Sequence, residues 1–223
     1  MAHDKWQIGD IESRIEENMD QAIKRVFDLV IAMTVLVILS PLVAFIALAI
    51  KLDDGGPVLF VQQRIGRAKQ RFACYKFRTM IVGADSQGRG LGVTADDWRI
   101  TRLGRFLRLW TLDELPQLIN VIKGEMSIVG PRAWVPSQAA YCMLSDWRRF
   151  DVRPGMAGWA WIHGRNRLSW EERIRLDLWY VDHWSLWLDL YILSQAVVLL
   201  LKREGVYEDE EGSQAPAGGG LAR

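Results

Sequence analysis

The spacing of apolar residues changes several times along the chain. Over residues 11–27, "IESRIEENMDQAIKRVF", Ile11, Ile15, Met19, Ile23 and Val26 recur every three to four positions. That is the period of one helix face, so an amphipathic helix is predicted. From Leu29 to Ile50 the polar positions vanish: "LVIAMTVLVILSPLVAFIALAI" is 22 residues without a charge. Drawn as a straight helix it would measure about 33 Å, against a hydrocarbon core of about 30 Å. Ser40-Pro41 lies near its middle. Proline removes a backbone hydrogen bond and clashes with the carbonyl four residues back, so a kink is expected there. The Ser40 hydroxyl is placed to satisfy a freed backbone group. The length of the run and the acids ahead of it read against a cleaved signal peptide.

Two topologies fit such a segment: a kinked spanning helix, or a re-entrant helix–break–helix that enters and leaves by one face. Lys24 and Arg25 flank one end; Lys51, Arg64, Arg67, Lys69 and Arg71 flank the other. Lysine and arginine collect on cytoplasmic flanks, and their presence at both ends favours the re-entrant form. Asp28 is spaced to pair with Lys24 or Arg25, which would lower the cost of its depth.

Shorter periods follow. In "GGPVLFVQQRIGRAKQRFACYKFRTM" (55–80), the runs Val58–Val61 and Phe72–Phe77 are joined by a cationic, glycine-containing link, and a β-hairpin is predicted. Its Arg64, Arg67, Lys76 and Arg78 suit phosphates, or simply solvent. Residues 83–97 form a glycine-rich loop without Walker spacing. Arg99, Arg102, Arg105 and Arg108 then recur every third residue, with Ile100, Leu103, Leu107 and Trp110 on another side. A basic amphipathic helix of this kind suits an anionic bilayer surface. Ser169-Trp-Glu-Glu172 has the form of a capping box opening a helix to about Tyr180, with Glu171 and Glu172 structural. Residues 184–202 are strongly apolar but contain Asp189, Ser194 and Gln195, so they are expected to lie at the interface or pack on the domain. Residues 208–223 have the composition of a disordered tail. The resulting division is an N-terminal helix (1–27), a membrane segment (28–51), a main domain (52–207) and a tail (208–223). The fold class is α+β, mostly helical.

Composition changes this picture little. The 223 residues carry a net charge of +1, which hides an apolar block beside a basic one. Overall neutrality, and the acids adjoining the basic row, argue against nucleic acid as a partner. Cys74 and Cys142 are far apart with no metal-ligand spacing, and reduced thiols are expected. The 11 tryptophans suit a membrane–water boundary.

"LWTLDELPQL" (109–118) places Asp113 and Glu114 side by side in an apolar setting. Thr111-x-x-Glu114 has capping-box form, and Pro116 belongs in a first helical turn. The dyad is therefore expected at the N-terminus of a helix ending near Gly124. There the helix dipole and Arg108 would favour ionised carboxylates. Acids at a helix start are ordinary; an ionised aspartate beside a divalent cation is also a nucleophile toward a diphosphate.

At this point the chain resembles the bacterial sugar transferases, the monotopic polyprenyl-phosphate phosphoglycosyl transferases. The matching pieces occur in the family's order: "KRVFDLVIA…ILSPL", the 55–80 segment, "RITRLGRFLRLWTLDELPQLINVIKGEMSIVGPR", "RPGMAGWAWIHGRN" and "LSWEERIRLDLWYVDHWSLWLDLYIL". The resemblance implies an enzyme of the bacterial inner membrane working on the cytosolic face. It would move a sugar-1-phosphate from a nucleotide sugar, usually a UDP-sugar, to polyprenyl phosphate, and release UMP. It further implies Asp113 as a nucleophile that forms a covalent phosphosugar, Glu114 in support, and Mg²⁺ held at the pair. Arg108 and Arg132 match arginines near the dyad and the diphosphate. Lys76, Arg78, Arg165 and Asn166 are candidate substrate contacts, and Ser40-Pro41 matches the family's break in a re-entrant helix. The resemblance implies the first step of exopolysaccharide, O-antigen or other glycan assembly, with the membrane and downstream glycosyltransferases as partners, and it allows a homodimer. Ala133 after "GPR", and Met156, Ala157, Trp161 and His163 in the later motif, depart from the usual pattern and bear on sugar and nucleotide preference. His163 is expected at the surface or in packing. A non-catalytic membrane scaffold and a membrane phosphohydrolase are the competing functions.

Overall fold

A computed structural model of the chain describes residues 3–84, 96–139 and 144–202, leaving aside the side chains of 3–18, 139, 144, 145 and 166. Most of the glycine-rich loop, Cys142 and the tail lie outside the described residues.

Helix α1 (His3–Ile38) runs without interruption from the amphipathic stretch into the apolar run. Helix α2 (Ser40–Asp54) carries Pro41 in its first turn, where the missing amide costs least. The two helices are bent by 62°. The carbonyl that Pro41 leaves without its helical partner is that of Val37, and the Ser40 hydroxyl donates to it at 2.8 Å. No single described helix is long and apolar enough to cross a membrane; the bent pair α1–α2 passes that test only as a unit.

The periodic apolar stripe on α1 is turned outward. Met19, Ile23, Val26, Val30, Met33 and Val37 are exposed, as are Phe45, Leu48 and Leu52 on α2. The inward face of α1 carries Asp28 and Ala32 instead. Lys24 and Arg25 are used inside the protein: Lys24 pairs with Asp28 at 2.8 Å, and Arg25 donates to the Val121 and Ile122 carbonyls at 2.6 and 2.8 Å. The cationic flank read as topogenic therefore also docks α1 onto the carbonyl end of another helix.

Strands β1 (Leu59–Ile65) and β2 (Arg71–Phe77) form the expected hairpin, antiparallel in register Leu59↔Phe77 through Ile65↔Arg71. The basic row is shorter than expected. Helix α3 spans only Arg102–Leu109, capped by Thr101, whose hydroxyl accepts from Gly104 N at 2.9 Å. Arg99 lies before the cap, buried, and pairs with Asp97 at 2.6 Å. An ion pair two residues away outcompetes the helical row.

Helix α4 (Gln117–Lys123) ends at Gly124, which takes φ +85°. Buried Asn120 fixes it to β2, donating to Ala73 O at 2.7 Å and accepting from Tyr75 N at 3.1 Å. Strands β3 (Ser127–Val129) and β4 (Gly155–Ala157) pair in parallel. Two short helices, α5 (Pro136–Ala139) and α6 (Trp159–Ile162), precede α7 (Trp170–Asp182) and α8 (Leu186–Lys202). The Ser169–Glu172 capping box forms in both directions. Helix α8 packs inward through Asp189, Ile192 and Ala196. The main core joins Ala32, Phe72, Leu118, Val121, Ile128 and Tyr180, and a second cluster seats Ile46 and Ile50 of α2 on Phe77 and Leu107. The architecture is α+β, mostly helical with two small sheets.

Candidate active site

Between α3 and α4 the chain makes a 3-10 turn, Leu112–Glu114. Thr111 ahead of it takes the left-handed conformation (φ 55°) and its hydroxyl caps nothing; Pro116 is the N-cap of α4. The expected capping box at the dyad is absent. Glu114 is drawn away by Lys76 of β2, whose ammonium donates to Oε1 at 2.6 Å. A charged partner from the hairpin, supported by Arg132 Nη2 at 3.7 Å, outweighs a local bond to one backbone amide.

Asp113 and Glu114 border a cavity of about 380 Å³. Eight described basic side chains border it against these two carboxylates, among them Arg64, Lys76, Arg108, Arg132 and Arg165. The cavity is shaped for anions. Arg108 Nε donates to Thr79 Oγ1 at 2.8 Å, and Arg165 Nη2 donates to Thr111 Oγ1 at 3.2 Å. Arg165 itself takes φ 51° and places its guanidinium 4.2 Å over the Trp161 ring. Two residues of positive φ that border the same cavity, Thr111 and Arg165, are thus bonded to one another. Backbone strain of this kind is held only where surrounding contacts impose it.

The two carboxylates are not electrostatically equivalent. Burial opposes ionisation of Glu114, but Lys76 and Arg132 overcome it and hold its pKa down to about 2. Burial raises the pKa of Asp113; Lys76 and Arg108 pull it down, and anionic Glu114 adds to the rise. The expected placement at a helix terminus is corrected: the dyad lies in a 3-10 turn ahead of α4, not in its first turn, and burial shifts the Asp113 pKa upward against the pull of Lys76 and Arg108. Burial, with Arg132 next, also lowers Arg64 to about 10.

The structure brings Asp113, Glu114, Lys76, Arg108, Arg132 and Arg165 to one cavity. Arg78 also borders it, but its guanidinium is paired with Asp54. The Asn166 side chain lies outside the described residues. His163 is on the surface, its Nδ1 2.8 Å from Trp159 O, in the expected packing role. Thr79, Gln138 and Arg173 also border the cavity. Thr79 was adjacent to a residue singled out from sequence; the other two carry no local signal.

Among the described residues no three His, Cys, Asp or Glu side chains are grouped to hold a metal. A hard divalent cation such as Mg²⁺ needs only one or two carboxylates where substrate phosphates complete its shell. Glu114 is already neutralised by cations, whereas Asp113 makes no ion pair among the described residues. The donor set fits such an ion at Asp113, with Glu114 beside it.

The chain is similar to known proteins over most of its length. A profile described as bacterial sugar transferase matches residues 19–203. The chain is 44% identical over 186 residues to the uncharacterized sugar transferase EpsL of Bacillus subtilis, covering 83% of this chain and 91% of that one. It is 37% identical over 212 residues to the undecaprenyl-phosphate galactose phosphotransferase of Salmonella typhimurium, and 40% identical over 205 residues to the undecaprenyl-phosphate glucose phosphotransferase of Komagataeibacter xylinus. Those alignments cover 88% and 87% of this chain but 44% and 38% of the relatives. The chain therefore spans less than half the length of these two phosphotransferases.

Proposed function

The chain belongs to the bacterial sugar transferase family, and from that premise we propose that it transfers a sugar-1-phosphate from a UDP-sugar to polyprenyl phosphate at a membrane. The observation that carries this reading is the Asp113–Glu114 turn facing a cavity dominated by basic side chains. A diphosphate is a dianion or more, and such a cavity favours it over neutral ligands.

In the reaction we propose, Asp113 Oδ attacks the sugar-bearing phosphorus of the donor. A bond forms from carboxylate oxygen to phosphorus, the bond to the UMP oxygen breaks, and UMP leaves. An oxygen of polyprenyl phosphate then attacks the same phosphorus and frees Asp113, so the product is a polyprenyl-diphospho-sugar. Arg132 and Arg165 are placed to hold donor phosphate oxygens, and Arg108 to steady the charge next to the nucleophile. Lys76 keeps Glu114 anionic and fixed. Mg²⁺ at Asp113 would screen the carboxylate from phosphate oxygens and withdraw charge from phosphorus. Desolvation that raises Asp113 also makes its anion, once formed, a stronger nucleophile.

The bent pair α1–α2 is the membrane element in this proposal. Its outward apolar stripe gives lipid a surface to cover, and Ser40 satisfies the backbone at the bend. A re-entrant course would bring both ends of the segment to the cytosolic side of a bacterial inner membrane. Ala22→Cys and Asp53→Cys, made singly, should both react with an impermeant thiol reagent from the cytosolic face; labelling from opposite faces would make the segment a spanning helix.

The activity itself is tested with purified protein, Mg²⁺, polyprenyl phosphate and individual UDP-sugars. Lipid-dependent transfer of label and release of UMP are expected. Free sugar phosphate without a lipid acceptor would indicate a phosphohydrolase. No turnover with any donor would leave a scaffold.

A further inference from the structure

The far end of the bent apolar pair α1–α2, a helical hairpin in the re-entrant reading, is fastened just past the strand that carries Lys76. Asp54, the last residue of α2, accepts from Gly56 N at 3.0 Å and is ion-paired with Arg78 Nη2. Lys51 closes the same turn, donating to Gly55 O at 2.6 Å. Gly56 lies flat against the guanidinium: a Cβ there would stand 1.9 Å from Arg78 Nη1. Arg78 N also donates to Val58 O at 2.9 Å, which closes the start of β1 onto this stretch. Two residues before Arg78 is Lys76, bonded to Glu114; one residue after it is Thr79, bonded to Arg108. Three of the four residues 76–79 thus touch the dyad, its neighbouring arginine and the end of α2. The Arg78 side chain is only 8% exposed, with one nitrogen on Asp54 and the other against Gly56. Its Nη1 has no hydrogen-bond partner among the described residues but is buried, so little of the side chain is open to a substrate phosphate.

We propose that Asp54, Gly56 and Arg78 form a positioning latch that sets where the apolar hairpin leaves the cavity, and so registers a membrane-held acceptor phosphate with the dyad. The inference rests on the transfer reaction proposed above. A nucleotide sugar arrives from water and needs no such registration. An acceptor tethered by its hydrocarbon chain reaches the dyad only at a depth and angle that the hairpin defines. Misplacement of a reacting group by about 1 Å costs up to roughly a hundredfold. The latch should therefore act on the second half of the reaction and leave the first alone. Arg78 is on this account a positioning residue, not a phosphate ligand.

The test uses the full chain in lipid nanodiscs. Asp54→Asn removes the ion pair, Asp54→Glu keeps it, and Gly56→Ala pushes the guanidinium away without changing charge. Three rates are compared: formation of labelled protein from donor alone, transfer to membrane-held polyprenyl phosphate, and transfer to a short, water-soluble prenyl phosphate. Asp54→Asn and Gly56→Ala should slow transfer to the membrane-held acceptor about tenfold. The donor step and the soluble acceptor should stay within about twofold, and Asp54→Glu should recover most of the loss. Equal slowing of the donor step would make Arg78 a donor contact and overturn the latch. So would equal loss with both acceptors, or no loss with either. Amide exchange over residues 54–58 provides a readout independent of activity: it should accelerate in Asp54→Asn, and unchanged exchange overturns the latch. Wild-type protein that transfers nothing overturns the proposed function, with the exchange experiment still deciding the latch.

Discussion

Asp113→Asn is expected to leave no labelled phosphosugar on the protein and to lower transfer by about a thousandfold or more, the scale on which loss of a nucleophile acts. The substitution is nearly isosteric and removes only the anionic oxygen. Because Asp113 makes no ion pair among the described residues, no cation loses its partner. Lys76 keeps Glu114, so the turn should hold its shape and the melting temperature should change little. Glu114 is a poor substitute nucleophile: its Oε1 is bonded to Lys76 at 2.6 Å with Arg132 at 3.7 Å, and its low pKa marks an anion already satisfied by neighbours. Glu114→Gln should accordingly still form adduct, more slowly. Rapid-quench labelling with donor alone reads both variants. An Asp113→Asn protein that accumulates adduct at the wild-type rate would move the nucleophile elsewhere.

What could be read from sequence was decided locally. The break at Ser40-Pro41 follows from proline geometry within one turn, and the hydroxyl bond to Val37 is the expected repair. The hairpin follows from two apolar runs and a short link. The contrast between two matching motifs shows where this legibility ends. Thr111-x-x-Glu114 and Ser169-x-x-Glu172 have the same form, yet only the second caps a helix. At Ser169 the backbone is extended (φ −60°, ψ 161°) and Glu172 makes no ion pair among the described residues, so both halves of the box close. At Glu114 a lysine 38 residues away wins. The Lys24–Arg25 flank shows the same limit. Their count predicted a membrane boundary, while their bonds to Asp28 and to the α4 carbonyls depend on what folds against α1. The dyad itself stood out as two adjacent carboxylates in an apolar stretch, and its reading as a reactive pair came from the family resemblance and not from residues 109–118 alone. The raised pKa of Asp113 was not legible, because desolvation is set by residues distant in sequence.

Lys24→Met is the substitution expected to cost most in stability. The Lys24 ammonium lies 2.8 Å from Asp28 Oδ1 and 2.8 Å from Asp189 Oδ2, and those side chains are 1% and 0% exposed. Ser127 Oγ and Ile128 N donate to Asp28, at 3.0 and 3.1 Å; the Tyr180 hydroxyl and Trp184 Nε1 donate to Asp189, at 2.8 and 3.3 Å. One cation thus holds two buried anions that join α1, β3, α7 and α8. Without it both carboxylates are left uncompensated, a loss of about 3–5 kcal/mol. Burial already pushes the Asp189 pKa up, with Lys24 opposing. In the variant that opposition is gone and the rise is larger. A carboxyl whose folded pKa lies above its unfolded value binds protons more tightly when folded, so stability falls as pH rises through the interval between the two. The deficit of Lys24→Met should therefore be largest near neutrality and shrink as pH drops toward about 4, where the unfolded carboxyl titrates. Lys24→Met combined with Asp189→Asn should recover part of it at pH 7. Denaturant unfolding at pH 7 and pH 5 measures both. A deficit below about 1 kcal/mol would mean that the three charges are not a coupled unit. One independent of pH would mean that Asp189 takes up no proton when the lysine is lost.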